Sequence, residues 1–338
     1  MRLLVTGGAG FIGSNFVQFW LDRHPADELV VFDALTYAGN LENLSDLNDR
    51  RGYRFVKGRI EDAEAVRRAM DGGEVVVHFA AESFVDRSIV GPQVFVTTNV
   101  VGSQVLFDAA REAGVRLFVH VSTDEVYGSL GSTGRFSEET PYAPGNPYSA
   151  SKAASDLLAL AYYKTFGFPV VITHGSNNYG PYQFPEKFIP LFILRAMEGK
   201  PLPLYGDGLN VRDWIHVRDH CLGLALIVER GKAGETYNFG GDCERTNLEI
   251  ARRICELAGR SDALIQFVKD RPGHDRRYAI DYAKAARELG FAPTTSIEAA
   301  LPEVFRWYAD HEPWWRHILS GEYQNFYAQW YAERGGGT

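Results

Sequence analysis

Leu3-Leu4-Val5-Thr6-Gly7-Gly8-Ala9-Gly10-Phe11-Ile12-Gly13 decides how the first half of the 338-residue chain is read. Leu3 to Thr6 has the pattern of a short buried strand, and a glycine-rich turn follows at once. From about Phe11 to Arg23 the residues Ile12, Phe16, Phe19 and Trp20 fall on one stripe, which predicts a helix. Glycine suits such a junction for three reasons: a tight turn, close backbone approach to a pyrophosphate, and close packing of helix on strand. The free N–H groups at the helix start then face the phosphates. The next strand pattern, Leu29 to Phe32, ends in Asp33, twenty residues after Gly13, where a carboxylate can accept from ribose hydroxyls. The spacing is GxxGxxG, and alone it would mark only a glycine-rich turn. Strand, turn, helix and terminal acid together predict a dinucleotide site, and an acid at position 33 repels a 2′-phosphate, favouring NAD over NADP.

Further strand patterns run over Arg54–Val56, Val75–Phe79, Leu117–Ser122 and Val170–Thr173, separated by helical patterns over Glu61–Met70, Asn99–Ala113 and Ala150–Phe166. Alternation of this kind predicts an α/β fold with a doubly wound parallel (Rossmann) sheet. Ligands of such sheets collect beyond the carboxyl ends of the strands, which directs attention to the residues after Phe79, Ser122 and Thr173.

Composition narrows the partners. With 43 acidic and 35 basic residues the formal net charge is −8, which offers no general attraction to nucleic acid or anionic lipid. No apolar run approaches the roughly 18 residues of a membrane span, and no signal-peptide pattern precedes Leu3. Cys221, Cys243 and Cys255 make neither an even disulfide framework nor a CxxC pair, so free thiols and a cytoplasmic protein are expected. His216 and His220 lack an accompanying carboxylate cluster, and no metal site is predicted.

Two pairs of residues carry chemistry. Tyr148 and Lys152 are four apart at the start of an Ala-rich helix and share a face; elsewhere such a pair is an ordinary surface contact. Beside a dinucleotide site, the ammonium and the positive nicotinamide ring would favour phenolate and make Tyr148 a base. Asp124 and Glu125 follow Thr123 at a strand end. Two adjacent carboxyls resist ionising together, which supplies an acid beside a base; an acidic turn capping a helix reads the same way.

The chain resembles the extended short-chain dehydrogenase/reductases, in particular their nucleotide-sugar 4,6-dehydratases. The resemblance rests on Gly7–Ser14, Asp33–Asn40, Ala80-Ala81-Glu82-Ser83, Ser122–Gly128, Tyr148–Lys152, Ser176–Tyr182, Arg212-Asp213-Trp214 and Asp270–Asp275. Thr-Asp-Glu-Val-Tyr-Gly marks the dehydratases, whereas the sugar-nucleotide 4-epimerases lack the acidic pair. The resemblance implies NAD as a regenerated cofactor and dTDP-glucose as substrate. It implies catalytic roles for Thr123, Asp124, Glu125, Tyr148 and Lys152. Tyr148 and Thr123 would deprotonate the 4-hydroxyl during oxidation at C4, Glu125 would remove the C5 proton, and Asp124 would protonate the departing 6-hydroxyl. Cofactor contacts would fall on Gly7, Gly10, Phe11, Ile12, Gly13, Asp33, Ala34, Leu35 and Thr36, then on Ile60, Ala80, Ala81, Thr98, Tyr148, Lys152 and Asn178. Substrate contacts would fall on Ser83, Thr123, Asn177, Lys187, Arg212, Asn247, Arg271 and His274, the two arginines each able to fork onto a diphosphate.

On this reading residues 1–173 form the NAD-binding domain, rejoined near 212–240, while 174–211 and 241–331 form a smaller, mixed C-terminal substrate-binding domain ahead of a frayed 332–338. The aromatic run Trp307, Trp314, Trp315, Trp330 and Tyr331 is expected to pack the second domain. Three positions depart from the family pattern: Arg59 stands where an acid usually meets adenine, Phe84 replaces a histidine, and Cys243 replaces an asparagine near the nucleotide. Relatives imply a homodimer through helices near Asn99–Ala113 and Ala150–Phe166, the latter with Leu157, Leu158, Ala161 and Tyr162. The competing readings are a nucleotide-sugar epimerase and a non-catalytic sensor on the same fold.

Overall fold

The computed structural model describes residues 1–319. Its main sheet has seven strands, all parallel: β1 (Arg2–Thr6), β2 (Glu28–Asp33), β3 (Tyr53–Lys57), β4 (Val75–His78), β5 (Leu117–Thr123), β6 (Val170–Gly175) and, returning late, β10 (Thr236–Phe239). The order is β3-β2-β1-β4-β5-β6-β10, so the winding reverses between β1 and β4. Between β6 and β10 come β7 (Asn177–Tyr179), β8 (Leu202–Tyr205) and β9 (Val211–His216); β11 (Glu244–Thr246) and β12 (Ile265–Val268) follow. These make two small sheets, β11-β9-β7 and β12-β8, so the chain is α/β with its smaller sheets set in the C-terminal half.

Twelve α-helices are described, some on the two faces of the main sheet and others against the small sheets. They are α1 (Phe11–Arg23), α2 (Ala63–Met70), α3 (Val85–Val90), α4 (Pro92–Phe95), α5 (Ser103–Ala113) and α6 (Pro147–Phe166), then α7 (Phe188–Met197), α8 (Val217–Arg230), α9 (Asn247–Leu257), α10 (Ala283–Leu289), α11 (Ile297–Asp310) and α12 (Glu312–Leu319). Central strands covered on both faces read as unbroken apolar runs; Leu3, Leu4 and Val5 are all buried. On one face Phe16, Val17 and Trp20 of α1 pack with Cys221, Leu224 and Ala225 of α8. On the other, Val66 of α2, Leu106 and Phe107 of α5 and Ala159 of α6 close a second core. A third core gathers Tyr179, Phe192, Leu202, Trp214, Ile250 and Tyr308 with Trp314 and Trp315, and Trp307 packs against it; Trp330 and Tyr331 lie outside the described residues.

Two helices begin earlier than their sequence patterns suggest. α6 starts at Pro147 because the Asn146 side chain accepts from Ser149 N–H at 2.9 Å, and proline at the first position loses no needed hydrogen bond. The stretch before α5 is helical from Pro92, with a π-turn over Val96–Gly102. Its run of β-branched Val96, Thr97, Thr98, Val100 and Val101 reads as anything but helix.

Phe107 is fully buried and meets Phe118, His120, Tyr162 and Phe168 at ring separations of 5.2–5.9 Å. Replacing it with alanine is expected to cost about 3–5 kcal/mol of stability, read as a lower urea midpoint; an unchanged midpoint would show that this cluster does not hold the α5 face.

Candidate active site

Most of the chemically loaded segments begin at the carboxyl end of a β-strand, whereas Tyr148 and Lys152 come from the start of α6. Gly7, at φ +68°, could not carry a side chain: a Cβ there would lie 2.5 Å from the Ala80 amide nitrogen, just past β4. A Cβ at Gly13 would strike the Gly7 carbonyl oxygen. Gly10 differs. It precedes α1 with extended backbone, no side chain caps the helix, and no acid occupies its first turn. The N-terminal N–H groups are thus presented to the cleft with their positive partial charge uncompensated. Asp33 closes β2, its Oδ2 accepting from Ala9 N–H at 2.9 Å and its Oδ1 from Leu35 N–H at 2.8 Å. Burial pushes its pKa up while those two hydrogen bonds oppose it.

Gly7, Gly10, Phe11, Ile12, Gly13, Asp33, Ala34, Thr36, Ile60, Ala80, Ala81, Thr98, Tyr148, Lys152 and Asn178 all line one cleft. Leu35 is the exception: it contributes its backbone N–H to Asp33, and its side chain packs against the sheet core. A second cleft is lined by Glu125, Asn177, Lys187, Arg212, Asn247, Arg271 and His274. Ser83 and Thr123 line the first cleft instead. The two meet along Glu125, Asn177, Asn178, Gln183, Glu186 and Lys187, which line both.

Glu125 stands at this junction, and Thr123, Asp124 and Tyr148 line the first cleft. Tyr148 is buried, packs edge-on to Phe95, and its phenol is hydrogen-bonded to Thr123. Burial, then the Glu125 charge, holds the Tyr148 pKa well above 10, with only the Thr123 hydrogen bond pulling it down. Lys152 directs its Nζ to the Val121 carbonyl at 2.9 Å. A cation beside the phenol would favour its phenolate form.

Thr123 caps a 3-10 turn over Asp124–Tyr127, its hydroxyl accepting from Glu125 N–H at 3.3 Å. The turn aims both acids at the cleft instead of spending them on a helix cap. Asp124 is buried with Oδ2 unpartnered among the described residues, and burial, then Glu125 and Asp213, raises its pKa well above the ordinary value. Glu125 is also raised by burial, but Arg271, Lys187 and Arg212 oppose that. Of the two, Glu125 is the readier to ionise and Asp124 the readier to keep a proton.

The second cleft is basic. Arg212 donates to the carbonyls of Val211 and Asp275 at 2.7 and 2.9 Å and lies over the Tyr278 ring. Lys187 donates to the Ser83 carbonyl at 2.8 Å and sits over the Phe84 ring. His274 pairs with Asp270 at 2.6 Å, yet burial and the two arginines lower its pKa. Arg59 lines the first cleft, and Phe84 the second. Cys243 lines neither; its side chain belongs to the third core and its N–H donates to Asp213 at 2.9 Å. His216 Nδ1 accepts from Arg218 N–H, while His220 lines the first cleft and pairs through Nδ1 with Asn178 at 3.0 Å.

Sequence reasoning missed what stands behind these groups. Asp156, one turn beyond Lys152, is fully buried and accepts from Ser122 at 2.9 Å, with His174 and His120 each at 3.1 Å. Burial alone would raise its pKa; the two histidine hydrogen bonds reverse that and hold it low. The i, i+4 spacing from Lys152 was the available signal. Tyr37, Glu82 and Gln183 also line the first cleft without having been singled out.

Sheet order, uncapped helix, terminal Asp33 and the Tyr148–Lys152 pair below Thr123 define an extended short-chain dehydrogenase/reductase. The family profile described as GDP-mannose 4,6 dehydratase matches residues 4–304. The dTDP-glucose 4,6-dehydratase of an Actinoplanes species is 50% identical over 320 residues, covering 93% of this chain and 100% of the relative. That of Streptomyces antibioticus is 51% identical over 323 residues, with coverages of 94% and 95%. A crystal structure of the Streptomyces venezuelae dTDP-glucose 4,6-dehydratase with NAD bound superposes with a TM-score of 0.92 at 51% identity, covering 94% and 100%. A Thermus thermophilus UDP-glucose 4-epimerase complexed with NAD reaches 0.85 at 31%, covering 92% and 100%. The chain belongs to the 4,6-dehydratase family that the profile describes, together with the dTDP-glucose 4,6-dehydratases.

Burial lowers the pKa values of both His120 and His220 from 6.5 to about 4. Unfolding lets each histidine take a proton that the native state refuses, so stability present above pH 6.5 is lost as pH falls toward about 4. Urea midpoints measured across that window are expected to decline toward the acid end; a flat profile would contradict the buried neutral assignment.

Proposed function

We propose that the chain is a dTDP-glucose 4,6-dehydratase, a hydro-lyase converting dTDP-glucose to dTDP-4-keto-6-deoxyglucose and water in deoxysugar (rhamnose-type) biosynthesis. The observation that carries this is the placement of Asp124 and Glu125 beside Tyr148 where the two clefts meet. An epimerase of nucleotide sugars has no use for that acidic pair, and a sensor has no use for an intact set of Tyr148, Lys152, Asp124 and Glu125.

The first cleft fits NAD. Its uncapped helix start suits a pyrophosphate, and each Asp33 oxygen, holding one backbone N–H, retains a lone pair for a ribose hydroxyl. When bound, NAD supplies the oxidant for C4 and returns the same hydrogen to C6, so it is regenerated. Lys152, anchored on Val121, keeps two further N–H donors for the cofactor side of the cleft.

The chain's own groups divide the proton transfers. Tyr148, coupled to Thr123, takes the proton of the 4-hydroxyl as C4 is oxidised. The resulting ketone acidifies the C5 proton, which the Glu125 carboxylate removes. Asp124, held in its acid form by burial and by Glu125, protonates the 6-hydroxyl so that water departs. C5 regains a proton as hydrogen returns to C6. Arg212, Arg271 and Lys187 offer positive charge to the diphosphate of the sugar nucleotide.

The same reading makes the enzyme a cytoplasmic homodimer. Leu157 of α6 is 57% exposed and Val101, just before α5, is 48% exposed, whereas Leu158 and Tyr162 turn inward to the core. Leu157→Arg is expected to shift the sedimenting species to monomer; an unaltered species would remove this face from the interface.

Glu125→Gln is expected to retain oxidation at C4, seen as reduced-nicotinamide absorbance, while turnover falls about 10²–10⁴-fold. Solvent deuterium should appear at C5 of the product made by the parent enzyme. Water loss at the parent rate in the variant, or a product without deuterium at C5, would sink the assignment of the base.

A further inference from the structure

Asp86 takes no part in the proton transfers, yet its side chain is only 3% exposed and one carboxylate serves two partners from the other side of the second cleft. Oδ1 accepts from Arg271 Nη1 at 2.9 Å, and Oδ2 accepts from the Tyr205 hydroxyl at 2.9 Å. Asp86 belongs to α3, which follows β4 of the main sheet. Tyr205 ends β8, and Arg271 lies shortly after β12, its parallel partner. A single carboxylate therefore ties the main sheet to the small β12-β8 sheet across the cleft.

Its neighbour makes a second tie. Arg87 directs Nε at 3.2 Å and Nη2 at 3.0 Å to Oε2 of Glu186, a buried carboxylate next to Lys187. Two successive α3 residues of opposite sign thus brace two segments that each carry a cation of the cleft.

The consequence for Arg271 is directional. A guanidinium is planar, so fixing Nη1 fixes where its other N–H groups point. Arg271 Nε is buried and has no hydrogen-bond partner among the described residues. A buried donor in that state is costly unless a ligand oxygen takes the bond. The group whose oxygens suit a fixed guanidinium, with Arg212 and Lys187 lining the same cleft, is a diphosphate.

We propose that Asp86 is a positioning residue for the nucleoside diphosphate part of the substrate: by holding Arg271 and the Tyr205 ring together, it aims Arg271 Nε at a diphosphate oxygen. This rests on the reading of Arg271 as a diphosphate ligand. Asp86 then acts on binding and leaves the chemistry at C4, C5 and C6 to the groups at the junction.

The test uses the NAD-loaded enzyme with dTDP as the probe, titrated calorimetrically, and dTDP-glucose for kinetics. Asp86→Asn is expected to raise the Kd of dTDP and the KM of dTDP-glucose about tenfold or more. The kcat should stay within about threefold and the shape of its pH profile should not change, which a general loss of structure would not leave intact. Asp86→Glu keeps the charge but displaces it by one methylene, and serves if the first variant does not fold; its affinity for dTDP should fall in the same sense. Arg271→Met should weaken dTDP binding by itself, and adding Asp86→Asn to it should cost nothing more. If Arg271→Met weakens binding while both Asp86 variants bind dTDP as the parent does, the proposal is overturned. A further loss in the double variant, or a fall in kcat at unchanged KM, overturns it too. An Arg271→Met variant that binds dTDP like the parent overturns the diphosphate reading, and the proposal falls with it.

Discussion

The contact between Gly7 and the end of β4 is the constraint on which the cleft depends. With a Cβ excluded at 2.5 Å from Ala80 N, the loop from β1 can lie directly against the segment that leaves β4. The start of α1 is thereby set at the point where the sheet's winding reverses. Strands β2 and β5 flank that point, so Asp33 and the Thr123–Glu125 turn face one opening. A larger residue at position 7 would push the two loops apart and separate the cofactor side from the reacting side.

Charge in this protein is managed by burial more than by number. The formal net charge is −8, yet the second cleft presents Lys187, Arg212 and Arg271. Those cations oppose the rise that burial imposes on Glu125 and leave Asp124 without comparable relief. Two chemically similar carboxyls one residue apart thus differ in their readiness to keep a proton. Behind them, Asp156 is ion-paired with His120 and His174 and accepts from Ser122 in a buried cluster beneath Lys152, since buried charge is tolerable only when paired.

Much of this was legible in the sequence because it is local. The Leu3–Gly13 run, the distance to Asp33, the strand–helix alternation and the Tyr148–Lys152 spacing each depend on residues within one or two turns or loops of each other. The Thr-Asp-Glu run identified the acids for the same reason. Legibility failed where a contact crosses the chain. That Lys152 donates to the Val121 carbonyl on β5, thirty-one residues away, has no local signal. Cys243, expected near the nucleotide, faces the third core.

The sequence by itself determined the fold class, the place of the phosphate-binding turn and the residues able to do acid–base work, since periodicity, glycine geometry and side-chain chemistry act over short range. Only the tertiary structure decided which carboxyl is the readier to keep a proton, where Lys152 points, and that Asp86 meets Arg271 across 185 residues of chain. Those outcomes turn on desolvation and on which partners reach a group first. Both are properties of the packed cleft, and no stretch of sequence carries them alone.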